Sequence, residues 1–187
     1  MCGIWVYANA DNNPKLEEFF SKIQKRGPDY SNLVKTNKYC VGFHRLSIND
    51  LSSNGNQPFV FKYGNTEYIC VCNGEIYNFK QIYKTLLPHY IPQSDSDCEV
   101  IIPLWIKMKH QMCEYLDGVF AFCILEIHND SVSYVYGRDR FGVRPLYKGF
   151  DADGNMVLSS ELKGLKDICV TVSQVNPGTL HENEMCT

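Results

Sequence analysis

The 187-residue chain is 44% hydrophobic and 21% charged, with a net charge of −3. That length fits one domain, and the composition suits a globular protein with a real apolar core. The charge is too small to point to nucleic acid or an anionic membrane, and no run of about 18 apolar residues could span a bilayer.

The chain opens Met1-Cys2-Gly3-Ile4. Removal of Met1 before the small Cys2 would put a thiol and a free α-amino group on one residue. An amine of pKa about 7.7–8.0 could serve as base for a thiol near about 8.5. Met1 to Ala10 lacks the basic and apolar regions of a secretory signal, which points to the cytosol. Gly3 to Ala8 predicts a short apolar strand. A helix follows, capped by Asn12 or Asn13, with Pro14 in its first turn. Leu16, Phe19, Phe20 and Ile23 form its apolar face, and Gly27-Pro28 end it. Residues 39–46, 59–63 and 67–72 read as strands, with a polar loop from Asp50 to Pro58. Asn73-Gly74 is ordinarily a hairpin turn, but Ile76, Phe79, Ile82, Tyr83 and Leu86 follow at helical spacing. The pair is therefore expected to join a strand to a helix and to present backbone N–H groups.

Ser96-Asp97-Cys98-Glu99 matches a capping box, with Val100, Ile101, Leu104, Trp105 and Met108 continuing as an amphipathic helix that Pro103 should bend. Val119 to Ile127 and Val132 to Tyr136 predict adjacent strands joined through His128-Asn129-Asp130. Leu146 to Phe150 and Met156 to Ser159 predict a hairpin turning at Asp153-Gly154. Glu161 to Leu165 starts a short helix, and the chain from Val172 on is polar and weakly patterned. The order does not alternate strand with helix, so antiparallel sheets with helices outside fit better than a doubly wound sheet. Nine cysteines, odd in number and irregularly spaced, sit mostly in apolar runs and argue for reduced thiols rather than a disulfide framework. Cys70-Val71-Cys72 reads as core packing within a strand, not as a zinc pair.

Thiol chemistry on an amide needs oxyanion donors, groups that hold the substrate's ends, and a base. Asn73 and the Gly74 N–H could donate, the Arg45 guanidinium could fork onto a carboxylate, and Glu75 and Asp97 could face an ammonium. Each also has a plain structural reading: a turn, a solvated strand end, or a carboxylate favouring a helix N-terminus.

Taken together, ordered motifs carry more. Met1-Cys2-Gly3-Ile4, Arg26-Gly27-Pro28-Asp29, Gly42-Phe43-His44-Arg45-Leu46 and Cys72-Asn73-Gly74-Glu75-Ile76-Tyr77-Asn78 are followed by Ser96-Asp97-Cys98-Glu99-Val100-Ile101. Asp117 to Phe122 and Gly137 to Leu146 complete the series. The series resembles the class II glutamine amidotransferase domain, specifically the N-terminal half of glutamine-hydrolysing asparagine synthetase. The motifs cover about residues 2–165 of a domain expected to span 2–187.

The resemblance implies an α+β fold, the N-terminal-nucleophile hydrolase four-layer αββα sandwich with two antiparallel sheets. It implies hydrolysis of the glutamine side-chain amide by Cys2, with Asn73 and Gly74 as oxyanion hole and Arg45 on the α-carboxylate. Glu75 and Asp97 would hold the α-ammonium, and backbone groups near Leu46 and Ile48 would line the pocket. Arg26 would order the loop near the nucleophile. Asp139, Arg140 and Arg144 would form structural ion pairs or a partner surface, and His44 would have no chemical part. No cofactor or metal is expected for this step. ATP and Mg would belong to a synthetase domain, in cis or in trans, whose Ser-Gly-Gly-type pyrophosphate loop does not occur here. Other readings are an amide hydrolase of the same fold with another substrate, and a binding module without turnover.

Overall fold

A computed structural model describes residues 1–8, 13–129 and 131–183. One antiparallel sheet is built from β1 (Gly3–Ala8), β2 (Tyr30–Lys35), β3 (Tyr39–Arg45), β8 (Tyr147–Phe150), β9 (Met156–Ser159) and β10 (Thr171–Gln174), in the order β10-β8-β9-β1-β3-β2. The other holds β4 (Phe59–Tyr63), β5 (Thr66–Ile76), β6 (Gly118–His128), β7 (Ser131–Arg138) and β11 (Leu180–Glu182), in the order β11-β7-β6-β5-β4. Among the described residues, four α-helices accompany them: α1 (Leu16–Ser21), α2 (Phe79–Thr85), α3 (Ile101–Met108) and α4 (Met112–Tyr115).

Side-chain alternation sorts the core into layers. Ile4, Val6, Val41 and Phe43 of the first sheet meet Ile69, Val71, Ala121 and Leu125 of the second between the sheets. On the outer face of the first sheet, Trp5, Tyr7 and Val157 pack beneath Leu16, Phe19 and Phe20 of α1. On the outer face of the second, Cys70, Cys72, Phe122 and Ile124 pack beneath Ile82, Ile101, Leu104 and Trp105 of α2 and α3. The result is the four-layer αββα sandwich. β1 is buried on both faces, which explains its unbroken apolar run.

Several local expectations change. Asn73-Gly74 is not a turn: β5 runs on to Ile76 because β6 pairs with it over its whole length, from Thr66↔His128 to Ile76↔Gly118. The strand leaves the sheet only at Tyr77 and Asn78, and α2 starts at Phe79, so Ile76 belongs to the strand. The capping box does not form. Ser96 makes no side-chain cap to the 3-10 turn Asp97–Val100. The Glu99 carboxylate is instead captured by the preceding loop, accepting from Tyr90 Oη (2.8 Å), Gln93 N (2.7 Å) and Ser94 N (2.8 Å).

Pro103 is the third residue of α3. There its missing N–H would have had no partner within the helix, so it is tolerated. Helix α1 stops at Ser21, well before Gly27-Pro28, and a 3-10 turn Gln24–Arg26 takes over. Asn13 bonds the Lys15 N–H (2.9 Å) without being the N-cap, and Asn12 lies outside the described residues. Glu161–Leu165 holds only a 3-10 turn, Leu162–Gly164. Strands β2, β10 and β11 lie where the sequence pattern predicts no strand.

Where β4 stops pairing, a side chain takes over. The buried Gln57 amide accepts from Cys72 N (2.6 Å) and donates to Cys72 O (3.1 Å), completing the edge of β5 next to Asn73. Gln57→Ala would leave both buried backbone groups unpaired, an expected loss of about 2–4 kcal/mol. Urea unfolding measures this, and a loss under about 1 kcal/mol would contradict the role.

Candidate functional site

The β1–β3 pairing sets Gly3 opposite His44, which carries Cys2 to the end of β3. There the Leu46 N–H donates to Cys2 Sγ (3.4 Å), and the thiol lies 3.6 Å from Leu46 O. Arg26 Nε donates to Cys2 O (2.8 Å), and its guanidinium pairs with Glu161 (3.4 Å). The rest of that motif holds the strand that brings Leu46. A Cβ on Gly27 would sit 2.2 Å from His44 O, so only glycine fits. Asp29 N donates to Arg45 O (3.0 Å) and its carboxylate accepts from Ser47 N (2.7 Å).

A small, partly open cleft lies beside Cys2. All eight residues singled out from sequence line it: Cys2, Arg45, Leu46, Ile48, Asn73, Gly74, Glu75 and Asp97. Asn73 is 2% exposed, and its Nδ2 is buried without a hydrogen-bond acceptor among the described residues. A buried donor left unpaired is costly, so an acceptor entering the cleft would find this one free. Beside it, a Cβ on Gly74 would stand 2.5 Å from Val119 O, which explains the glycine without invoking a turn.

The charged residues are held in different ways. Arg45, nearly buried, donates to Ser52 O (2.8 Å) and Asn56 Oδ1 (2.6 Å) through one terminal nitrogen. The other meets Asn49 O (3.4 Å) and Asp50 O. Neutral acceptors fix its plane, and the nearby Asp50 carboxylate feels its charge. Asp97 accepts from Ile76 N (2.6 Å) and Asn49 Nδ2 (3.0 Å). Glu75 pairs with Arg144 Nη2 at 2.9 Å.

His44 stands apart from the cleft. It stacks on Phe20 (3.8 Å between ring centres) and bonds Phe20 O and Ser31 Oγ. Burial pushes its pKa down, consistent with a structural imidazole. Among the described residues, Asp139 forms backbone caps, accepting from Phe120 N, Phe141 N and Val143 N, and no ion pair, whereas Arg144 does make one. Arg140 borders a separate groove beside Phe141.

Asn49 and Gln57 also line the cleft, and no sequence pattern singles out either one. Each is one polar residue in a polar loop, visible only through its contacts. Among the described residues, no group of three or more His, Cys, Asp or Glu side chains is placed to hold a metal ion, and no helix is long and apolar enough to cross a membrane.

Burial raises the Cys2 pKa, and the Leu46 N–H, the chain N-terminus, Arg45 and Arg144 oppose the shift without reversing it. With Met1 present the Cys2 nitrogen is a peptide nitrogen that cannot take a proton, and the amine whose charge reaches the sulfur belongs to Met1.

A model described as a glutamine amidotransferase domain matches residues 1–186. Glutamine-hydrolysing asparagine synthetase from Sandersonia aurantiaca is 36% identical over 190 residues, covering 98% of this chain and 35% of that protein. Asparagine synthetase B from Escherichia coli is 34% identical over 165 residues, covering 88% of this chain and 29% of that protein. The chain thus spans about a third of the length of such relatives. Glutamine phosphoribosylpyrophosphate amidotransferase from B. subtilis superposes with a TM-score of 0.80 at 21% identity, over 97% of this chain and 47% of that one. The allosteric regulatory enzyme of purine biosynthesis gives 0.81 at 21%, over 97% and 46%. These two likenesses concern the fold alone.

A raised thiol pKa means less thiolate at any given pH. Alkylation of Cys2 by iodoacetamide, in protein whose mass shows Met1 retained, should climb about tenfold per pH unit and still be rising above about pH 8.5. Peptide mass spectrometry across pH reads this, and a plateau at or below pH 8 would contradict it.

Proposed function

The chain belongs to the glutamine amidotransferase domain family, and on that premise we propose that its cleft hydrolyses the side-chain amide of glutamine to glutamate and ammonia. The observation that carries the reading is the buried, unpartnered Asn73 amide in one cleft with the Cys2 thiol.

Once Met1 is removed, the Cys2 α-amine accepts the thiol proton as sulfur attacks the amide carbon. The carbonyl oxygen becomes an oxyanion, held by Asn73 Nδ2 and the Gly74 N–H. The C–N bond breaks, the α-ammonium returns a proton to the leaving nitrogen, and ammonia departs. Water then attacks the γ-glutamyl thioester, giving glutamate and the restored thiol.

Arg45 draws the α-carboxylate by charge, and a forked bond to it requires that acceptors now on its terminal nitrogens, such as Ser52 O and Asn56 Oδ1, give way. Glu75 and Asp97 face the α-ammonium, while the backbone around Leu46 and Ile48 forms the wall beside the sulfur. Nothing in these steps calls for a cofactor. The ammonia would serve ATP-dependent asparagine synthesis from aspartate in a synthetase domain, in cis or in trans, and ATP and Mg would belong there. The cytosol suits the free thiols of Cys2, Cys40, Cys70, Cys72, Cys98, Cys113, Cys123 and Cys169.

Protein whose mass confirms loss of Met1 should release glutamate from glutamine. Cys2→Ala should abolish release, and Asn73→Ala should lower kcat by about 10²–10³ if it supplies an oxyanion donor. A coupled glutamate dehydrogenase assay reads all three. Release that survives Cys2→Ala would sink the mechanism.

A further inference from the structure

Arg144 is a second arginine in the cleft, and the mechanism above does not use it. It arrives on the loop between β7 and β8, which is tied down from two sides. Arg138 donates to Arg144 O (2.9 Å), Gly142 O (2.5 Å) and Val175 O (2.5 Å). The Asp139 carboxylate accepts from Phe141 N (2.9 Å), Val143 N (3.1 Å) and, on β6, Phe120 N (3.1 Å). Two buried charged residues therefore fix the backbone on which Arg144 stands. Its guanidinium reaches across to β5 and donates to Glu75 Oε1 at 2.9 Å.

The exposures of the pair matter. The Arg144 side chain is 14% exposed and that of Glu75 38%. A glutamate that open to water gains rotamer freedom by swinging out, and the Arg144 bond holds it in. The other carboxylate, Asp97, needs no such partner, because Ile76 N and Asn49 Nδ2 already fix it. Those donors are neutral, and Asp97 has no ion-pair partner among the described residues, whereas Glu75 has Arg144. Two uncompensated carboxylates on one small cleft would repel each other and would over-match a single ammonium.

We propose that Arg144 is a positioning residue of the glutamine site: it fixes Glu75 at the amine end of the cleft and cancels its charge, leaving Asp97 as the one unbalanced carboxylate for one ammonium. This rests on the reading of the cleft as a glutamine site. Arg144 acts on binding through Glu75, and its charge is the smallest of the influences on the Cys2 thiol, so removing it should mainly weaken binding.

The test is a double-mutant cycle on Met1-processed protein. Arg144→Met should raise KM for glutamine about five- to tenfold with kcat changed less than about threefold. Arg144→Lys should recover most of the loss, since a point charge still reaches the carboxylate. In a Glu75→Gln background, Arg144→Met should change KM by less than about twofold. Should R144M not fold, as judged by its thermal melt, Arg144→Gln carries the same cycle. Additive KM effects of the two substitutions, or a loss confined to kcat, would overturn the proposal.

Calorimetric binding of glutamine to Cys2→Ala separates the two readings. No binding there sinks the glutamine site itself. Binding accompanied by an additive cycle sinks the role of Arg144 alone.

Discussion

The pairing of β1 with β3 is the constraint on which the cleft depends. Chain termini usually fray, and a nucleophile at position 2 would fray with them. Here β1 lies between β3 and β9, buried on both faces, and its register sets Gly3 opposite His44. A slip by one residue would turn Ile4 and Val6 out of the inter-sheet core and bring Trp5 and Tyr7 in. The apolar layers on both sides of the strand therefore enforce the one register that brings the Cys2 sulfur to the Leu46 N–H.

The second sheet meets this point through the length of β5. Because β6 pairs with it to Ile76, Asn73, Gly74 and Glu75 are held in extended backbone instead of a turn. The period of two gives Asn73 and Glu75 the face already occupied by Ile69 and Val71, which looks toward the first sheet. Gly74 takes the opposite direction, where Val119 O leaves no room for a side chain. One strand thus delivers an amide donor and a carboxylate to the same cleft. A hairpin or a helix N-terminus at Asn73-Gly74 would have spread them differently.

How much of this was legible in the sequence follows from how local each signal is. β1, β3, β4 and the β6–β7 and β8–β9 pairs carry unbroken or alternating apolar runs, because burial writes itself into composition. β10 has no buried residue and β2 only partly buried ones. β11 is three residues long. These are strands because β8, β3 and β7 offer them a hydrogen-bonding edge, and an edge partner leaves little trace in side-chain pattern. The Asn73-Gly74 turn fails for a related reason: turn propensity is a local preference, and an eleven-residue partner strand outweighs it. Glu99 illustrates the same limit, since nothing in Ser96 to Glu99 shows that Gln93 and Ser94 will claim its carboxylate. The cleft residues were legible because they fall in ordered motifs. Asn49 and Gln57 were not, because their parts lie in what they touch.

The protonation state of Cys2 links the fold to its chemistry. Burial keeps the sulfur a thiol at rest, and the nearby positive charges only soften that effect. A thiol that was already ionised would need no base. A thiol held neutral needs one within reach, and His44 is locked into Phe20 and Ser31, away from the cleft. The group nearest in the covalent structure is the nitrogen of Cys2 itself. As a peptide nitrogen it cannot take a proton, whereas as an amine of pKa about 7.7–8.0 it is well placed to do so near neutral pH. Arg26 already holds the Cys2 carbonyl in place and β1 holds the following residues. Cutting the bond to Met1 would therefore create the base without disturbing the sulfur. Removal of one residue at the chain end would convert a folded cleft into a reactive one.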